Sequence, residues 1–177
     1  MRIAITGTPG VGKTTVSKLL AKELNYKYIS LNQIAKKTKA YIGYDKIMQS
    51  KIVDIKKIQK ELKKIKGNYI LDGHFSHEFD VDLIFILRCR PDILEKRLRK
   101  RYKKNKKKVQ ENIDAEILGV ISAEVFYKNK KFYEIDVTGK KPKEIIKEII
   151  EKIEKKNNYT SKVIFDWLSM GFEPKKV

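Results

Sequence analysis

One stretch, Gly7-Thr8-Pro9-Gly10-Val11-Gly12-Lys13-Thr14, restricts the fold of this chain more than any other. It matches the phosphate-loop pattern G-x-x-x-x-G-K-[ST] at every position. Its flanks agree with it. Arg2 to Thr6 reads as a short buried strand. Thr15 to Leu24 reads as an amphipathic helix with Val16, Leu19, Leu20 and Leu24 on one face. The residue types follow from the chemistry. Phosphates need many donors packed around them, and glycines let backbone N–H groups turn inward because no Cβ intervenes. The helix start adds unpaired N–H groups and the positive end of its dipole. Lys13 is expected at the β- and γ-phosphates of a nucleotide, and the Thr14 hydroxyl on Mg²⁺.

A phosphate loop of this kind works with an acid at the end of another strand. Asn68 to Leu71 reads as the third strand and runs straight into Asp72-Gly73-His74. In an open α/β sheet the ligand sits at the carboxyl ends of the strands. Asp72 is therefore the expected second Mg²⁺ group. His74 either positions a phosphate or a nucleophilic water, or bonds the backbone. His77 lies in a polar loop and has no assignment.

The remaining elements alternate. Tyr26 to Leu31 reads as the second strand, with Asn32 able to cap a helix that begins near Gln33. Ala40 to Lys46 is aromatic and reads as an irregular loop, either one that receives a ligand or an ordinary surface loop. Asp54 to Lys66 is an amphipathic helix on Ile55, Ile58, Leu62 and Ile65, capped by Asp54 and ended by Gly67. Val81 to Leu87 is continuously apolar near its end, as a strand buried on both faces must be. Pro91 opens the next helix, which runs into a basic block from Arg97 to Lys108. That block clamps an anion or is a solvated face. Val109 to Lys128 reads as one long helix with Ile113, Ile117, Val120 and Ile121 on a stripe. Phe132 to Val137 is the fifth strand, and Pro142 starts a helix with an isoleucine face. Lys155 to Asn158 is a polar break. The tail beyond it carries Val163, Ile164, Phe165, Trp167, Leu168, Met170 and Phe172, and is too apolar for a disordered end. It docks on the core or on a partner. The order of elements implies α/β class: a three-layer fold with a five-stranded parallel sheet.

Bulk properties set outer limits. A chain of 177 residues fits one domain. The lone cysteine, Cys89, excludes an intrachain disulfide and points to a reducing, cytoplasmic setting. No apolar run approaches the length of a membrane span, so no membrane role is expected. The net charge is +19, a field that attracts polyanions such as RNA, or a compositional bias toward heat stability.

Taken together, the phosphate loop, Gly43-Tyr44-Asp45, Asp72-Gly73-His74, Arg97-Leu98, Arg101 and Asn112-Ile113 with Glu116-Ile117 resemble the adenylate kinase isoenzyme 6 family of nucleoside monophosphate kinases. The resemblance runs from Met1 to about Lys156. It implies a single P-loop kinase domain over 1–177, with a monophosphate-binding segment at 30–53, a short lid at 100–110 and an apolar C-terminal extension at 159–177. It implies Mg²⁺-dependent phosphoryl transfer from ATP to AMP, some ATPase activity, and a role in small ribosomal subunit maturation through a ribosomal protein and rRNA. By the same resemblance, Gly10, Val11, Gly12, Lys13, Thr14, Thr15, Arg101 and Lys140 bind ATP. Ser30, Lys36, Tyr44, Asp45 and Arg88 bind AMP. Lys13, Asp72, His74 and Arg101 act in catalysis, and Thr14 and Asp72 hold the metal. A monomer or small homo-oligomer is expected. Two rivals stay open: a nucleotide-gated ribosome assembly factor with vestigial kinase activity, and a kinase of another monophosphate or small acceptor.

Overall fold

The chain alternates strand and helix. β1 (Arg2–Gly7) leads to α1 (Lys13–Glu23), β2 (Lys27–Ser30), α2 (Leu31–Lys37), β3 (Tyr41–Asp45) and β4 (Ser50–Val53). There follow α3 (Ile55–Leu62), β5 (Tyr69–Asp72), a single 3-10 turn at Ser76–Glu78, β6 (Leu83–Arg88) and α4 (Pro91–Arg101). The chain closes with α5 (Lys106–Ile117), α6 (Val120–Tyr127), β7 (Phe132–Asp136) and α7 (Pro142–Glu154). The computed structural model describes residues 1–46, 50–103, 105–155 and 165–175. Lys104 of the basic block, Lys156 to Asn158 of the polar break, and Val163 and Ile164 of the tail lie outside the described residues.

The five expected strands form one parallel sheet in the order β2-β5-β1-β6-β7. β1, β5 and β6 are buried almost throughout, which explains their unbroken apolar runs. Strand order fixes where a ligand fits. The connection from β1 heads toward β2, while the one from β5 heads to β6 on the other side of β1. A crevice therefore opens between the carboxyl ends of β1 and β5.

Several boundaries differ from the sequence reading, each for a local reason. The α1 face toward the sheet is Val16, Ser17, Leu20 and Ala21, and Leu19 is exposed. α2 begins at Leu31 rather than near Gln33, so Asn32 lies inside the helix and does not cap it. α3 ends at Leu62, short of Lys66, though Asp54 does cap it by accepting from Lys57 N at 3.0 Å. Ala40 to Lys46 is not an irregular loop. Tyr41–Asp45 pairs antiparallel with Ser50–Val53 as a separate two-stranded ribbon. Its glycine and exposed Ile42 and Tyr44 mask the strand pattern. The long helix predicted from Val109 to Lys128 is two helices. Gly119, at φ 60°, breaks it, and Val120 consequently turns to solvent.

The tail returns to the body of the protein. Trp167 is 3% exposed and joins the main core, with Phe165 and Phe172 against it at ring separations of 5.8 and 6.2 Å. Such aromatic pairs contribute about 0.5–1.5 kcal/mol each beyond burial. Two backbone–side-chain bonds, Phe165 N to Glu134 Oε2 (3.0 Å) and Lys175 N to Asp114 Oδ1 (3.2 Å), pin the segment at both ends.

Candidate active site

The phosphate loop turns sharply out of β1. Gly7 sits at φ 134°, and a Cβ there would stand 2.4 Å from Leu87 O of the neighbouring strand. Gly12, at φ 100°, turns the chain into α1 and has open space around it. Only glycine meets both conditions without strain. Gly10 packs under Leu94 and Leu98 of α4, and Val11 is buried at the loop's base. Thr14 and Thr15 open α1 and are exposed.

The Lys13 ammonium donates to Gly7 O at 2.8 Å and Thr8 O at 2.9 Å, curling back over its own loop. Burial pushes its pKa down to about 8. Asp72 and Glu116 pull it up, and the charge of Arg101 pushes it further down. That coupling makes Arg101, the last residue of α4, an electrostatic neighbour of Lys13.

Asp72 ends β5, in register with Ile5 of β1 on one side and Ser30 of β2 on the other. Its Oδ2 accepts from Thr14 Oγ1 and from Tyr28 Oη, both at 2.8 Å. Burial, together with that bond to Asp72, raises Tyr28 to about 12. Tyr28 and Ser30 alternate on β2 and face the same side. The Thr14 hydroxyl and Asp72 carboxylate are hard oxygen donors, the type that Mg²⁺ takes beside water and phosphate oxygens. The donor set fits that ion.

His74 follows Asp72 by two residues and packs edge-on against Phe75 at 4.8 Å. The protein around the imidazole withdraws water from it, and with the charges of Lys13, His77 and Lys108 this lowers its pKa to about 4. It is neutral at physiological pH. Its carbonyl accepts from Thr6 Oγ1 at 2.9 Å, so the loop after β5 is tied to β1.

Other expected residues lie apart. Lys140 pairs with Glu148 at 2.9 Å in the turn after β7. Lys36 is exposed on α2, and Tyr44 and Asp45 lie on the β3–β4 ribbon. Arg88 lies within the protein. It was expected at the AMP site, yet it is 2% exposed and bound within the protein. Its Nε donates to Glu116 Oε1 (2.8 Å) and Nη2 to Glu116 O (2.9 Å). Its Nη1 reaches Glu134 Oε1 (2.5 Å), Ser122 Oγ (3.1 Å) and Phe165 O (3.3 Å). Two carboxylates share its charge, and it ties β6, α5 and β7 together in the interior.

Sequence reasoning missed four participants. Tyr28 bonds directly to Asp72 and belongs to no motif, while Thr8, bonded to Glu116, occupies an unconstrained position of the phosphate loop. Glu116 enters the sequence reading only as part of the family motif, without a role; it sits beside the Ile113–Ile117 stripe of α5, and a carboxylate on a buried face needs a partner. His77 is 2% exposed rather than in a polar loop. It lies 3.1 Å from Thr6 Oγ1 and 2.9 Å from Glu124 Oε2. Cys89 is fully buried beside this cluster, its N–H on Glu116 Oε1 at 3.1 Å, and burial raises its thiol to about 11.

Known proteins resemble this chain in sequence and in fold. A family model described as "AAA domain" matches residues 3–119. A protein of Methanocaldococcus jannaschii named "Putative adenylate kinase" is 46% identical over 176 residues, 98% of this chain and 96% of that one. One of the same name from Thermococcus gammatolerans is 43% identical over 157 residues, 88% of this chain and 86% of that one. Among solved structures, a shikimate kinase from Acinetobacter baumannii in complex with shikimate superposes with a TM-score of 0.63 at 18% identity. It covers 88% of this chain and 94% of its own. A deoxyadenosine kinase from M. mycoides gives 0.59 at 18% identity, covering 89% and 100%. At such identities these two speak for the fold, that of P-loop kinases. The kinship itself rests on the archaeal matches, which span nearly the whole of both chains, and by them the chain belongs to the archaeal adenylate kinase-type P-loop family.

Proposed function

We propose that the protein is a nucleoside monophosphate kinase that transfers the terminal phosphoryl group of ATP to AMP. The observation that carries this reading is the meeting of Lys13, Thr14 and Asp72 in the crevice between β1 and β5. The archaeal relatives named as adenylate kinases support AMP as the acceptor.

The reaction breaks the bond between the γ-phosphorus and the β-γ bridging oxygen, and forms one to an oxygen of the acceptor phosphate. It needs positioning and charge neutralisation more than covalent help. Lys13 exchanges the carbonyls of Gly7 and Thr8 for phosphate oxygens. The N–H groups from Gly10 to Thr15 surround the β-phosphate. Thr14 and Asp72 would hold Mg²⁺, which when bound draws negative charge from the β- and γ-phosphates. Arg101 meets the charge that develops as the phosphoryl group moves. Neutral His74 orients the attacking oxygen by hydrogen bonding. When that oxygen belongs to water, the same arrangement gives ATPase activity. Residues 30–53 form the acceptor segment, with Ser30, Lys36, Tyr44 and Asp45 toward AMP. Residues 100–110 close as a lid that excludes water. Lys140 stands on the adenine side, and residues 159–177 are an extension of the same domain.

The test is a coupled assay with ATP and Mg²⁺ across AMP, CMP, UMP, GMP and dephospho-coenzyme A. AMP is expected to be the fastest acceptor. Preference for another acceptor would move the assignment within the kinase class. Hydrolysis of ATP with no acceptor phosphorylated would overturn it.

A second reading is favoured by the net charge of +19. Here the nucleotide state gates binding to a small-subunit ribosomal protein or rRNA. Pull-downs with and without ATP at low salt test it, and a partner lost on changing the nucleotide supports it.

A further inference from the structure

The C-terminal tail and the phosphate loop meet on opposite oxygens of one buried carboxylate. Glu116 is 2% exposed. Its Oε2 accepts from Thr8 Oγ1, in the phosphate loop, at 2.5 Å. Its Oε1 accepts from the indole Nε1 of Trp167, in the tail, at 3.1 Å, as well as from Arg88 Nε and Cys89 N. Thr8 is also one of the two residues whose carbonyls hold the Lys13 ammonium. Trp167 therefore stands two side chains away from Lys13, though 154 positions further along the chain by number.

We propose that the C-terminal tail sets the position of the phosphate loop through Glu116, and that Trp167 is a positioning residue for ATP. The proposal rests on the reading that ATP binds at this loop.

The physical argument turns on how a buried carboxylate is fixed. Arg88 and Cys89 hold only Oε1, and they hold it from the β6 side. The tail adds a third donor to that oxygen and closes the protein over it, since Trp167 is itself almost fully buried. With the indole N–H removed, Oε1 keeps Arg88 and Cys89 but loses its third donor. The carboxylate then settles toward the remaining donors, and Oε2 carries Thr8 with it. Donors that cradle a phosphate act only at the right distance, and displacements of an ångström cost heavily. The coupling is reciprocal: whatever the tail does for the loop, a bound nucleotide does for the tail. The tail's own anchors lie outside the loop: Phe165 N on Glu134 of β7 and Lys175 N on Asp114 of α5.

Trp167 is the only tryptophan of the chain, so its emission reads the tail alone. Titration of the full-length protein with ATP, followed by tryptophan fluorescence and in parallel by calorimetry, is expected to give one dissociation constant. Trp167→Phe keeps an aromatic ring and removes the donor. It is expected to raise the Kd and KM for ATP about 5–20-fold, the lower range of such couplings, with the KM for the acceptor unchanged. Thr8→Val is expected to do the same, Thr8→Ser to restore wild-type values, and the Trp167→Phe/Thr8→Val double variant to be no worse than either single one. Should Trp167→Phe fold poorly, the wild-type emission change and the Thr8 pair still decide the matter. ATP binding that is lost in Lys13→Ala, but leaves the wild-type emission unmoved and is additive across the two substitutions, would overturn the proposal alone. A wild-type protein that binds no ATP would overturn both the proposal and the reading beneath it.

Discussion

The hydroxyl of Thr14 donates to Oδ2 of Asp72 at 2.8 Å, joining the first turn of α1 to the end of β5. These residues come from separate strand–loop units and meet because β1 and β5 are neighbours in the sheet. Asp72→Asn preserves the shape and removes the charge. We expect kcat/KM to fall by about 10²–10³-fold, as when one electrostatic group is taken from a site of this type. Thr14→Ala should raise the Mg²⁺ concentration at half-maximal rate by about 10–100-fold. A magnesium titration of each variant in the coupled assay reads both effects.

Lys13 is predicted to make ATP affinity depend on pH. Burial holds its pKa near about 8, whereas phosphate oxygens favour the ammonium form, so the bound value is the higher one. Below about pH 8 the lysine is charged in both states and affinity is flat. Above it, binding must take up a proton, and affinity should fall by about tenfold per pH unit until the bound pKa is reached. Calorimetry at pH 8.5–9, in buffers of different ionisation enthalpy, should show about one proton taken up per ATP. Lys13→Ala should abolish turnover at every pH.

Arg88 is predicted to matter for stability rather than for the acceptor. It is paired with Glu116 at 2.8 Å and Glu134 at 2.5 Å, all three being buried. Arg88→Leu leaves two carboxylates uncompensated and should cost about 3–5 kcal/mol. For a chain of this length that lowers the melting temperature by about 10 °C, observable by calorimetry. The KM for AMP of the folded fraction should stay unchanged.

Gly7→Ala tests the entry to the loop. A methyl group there meets Leu87 O at 2.4 Å, and the backbone angle is one that side chains rarely adopt. The expected loss is at least about 2 kcal/mol, measured by urea unfolding. Gly12→Ala meets no neighbour, so only the φ of 100° is penalised and its loss should be smaller.

The sheet was readable from the chain because its three inner strands, β1, β5 and β6, are unbroken apolar sequence or end on a motif. Leu83 to Leu87 shows the first case, and Leu71-Asp72 the second. Asp72 could be found because the fold places acids at strand ends. Arg88 stands at the same kind of strand end and looks equally available. What the sequence hides is its pairing with two acids 28 and 46 positions away, visible only once α5 and β7 pack beside β6. The break at Gly119 was hidden for a related reason. The apolar stripe continues through it at helical spacing, while one residue in the left-handed region resets the helix. The β3–β4 ribbon escaped because its exposed faces carry Ile42, Tyr44 and Ile52, so no polar–apolar alternation marks it.

Cys89 has a practical corollary. A sole thiol that is fully enclosed and kept protonated to about pH 11 gives alkylating reagents nothing to attack. A cysteine introduced on the surface, at Lys103 for instance, would be the single handle for a spectroscopic dye. The closure proposed for residues 100–110 could then be followed in real time, with no native residue first removed.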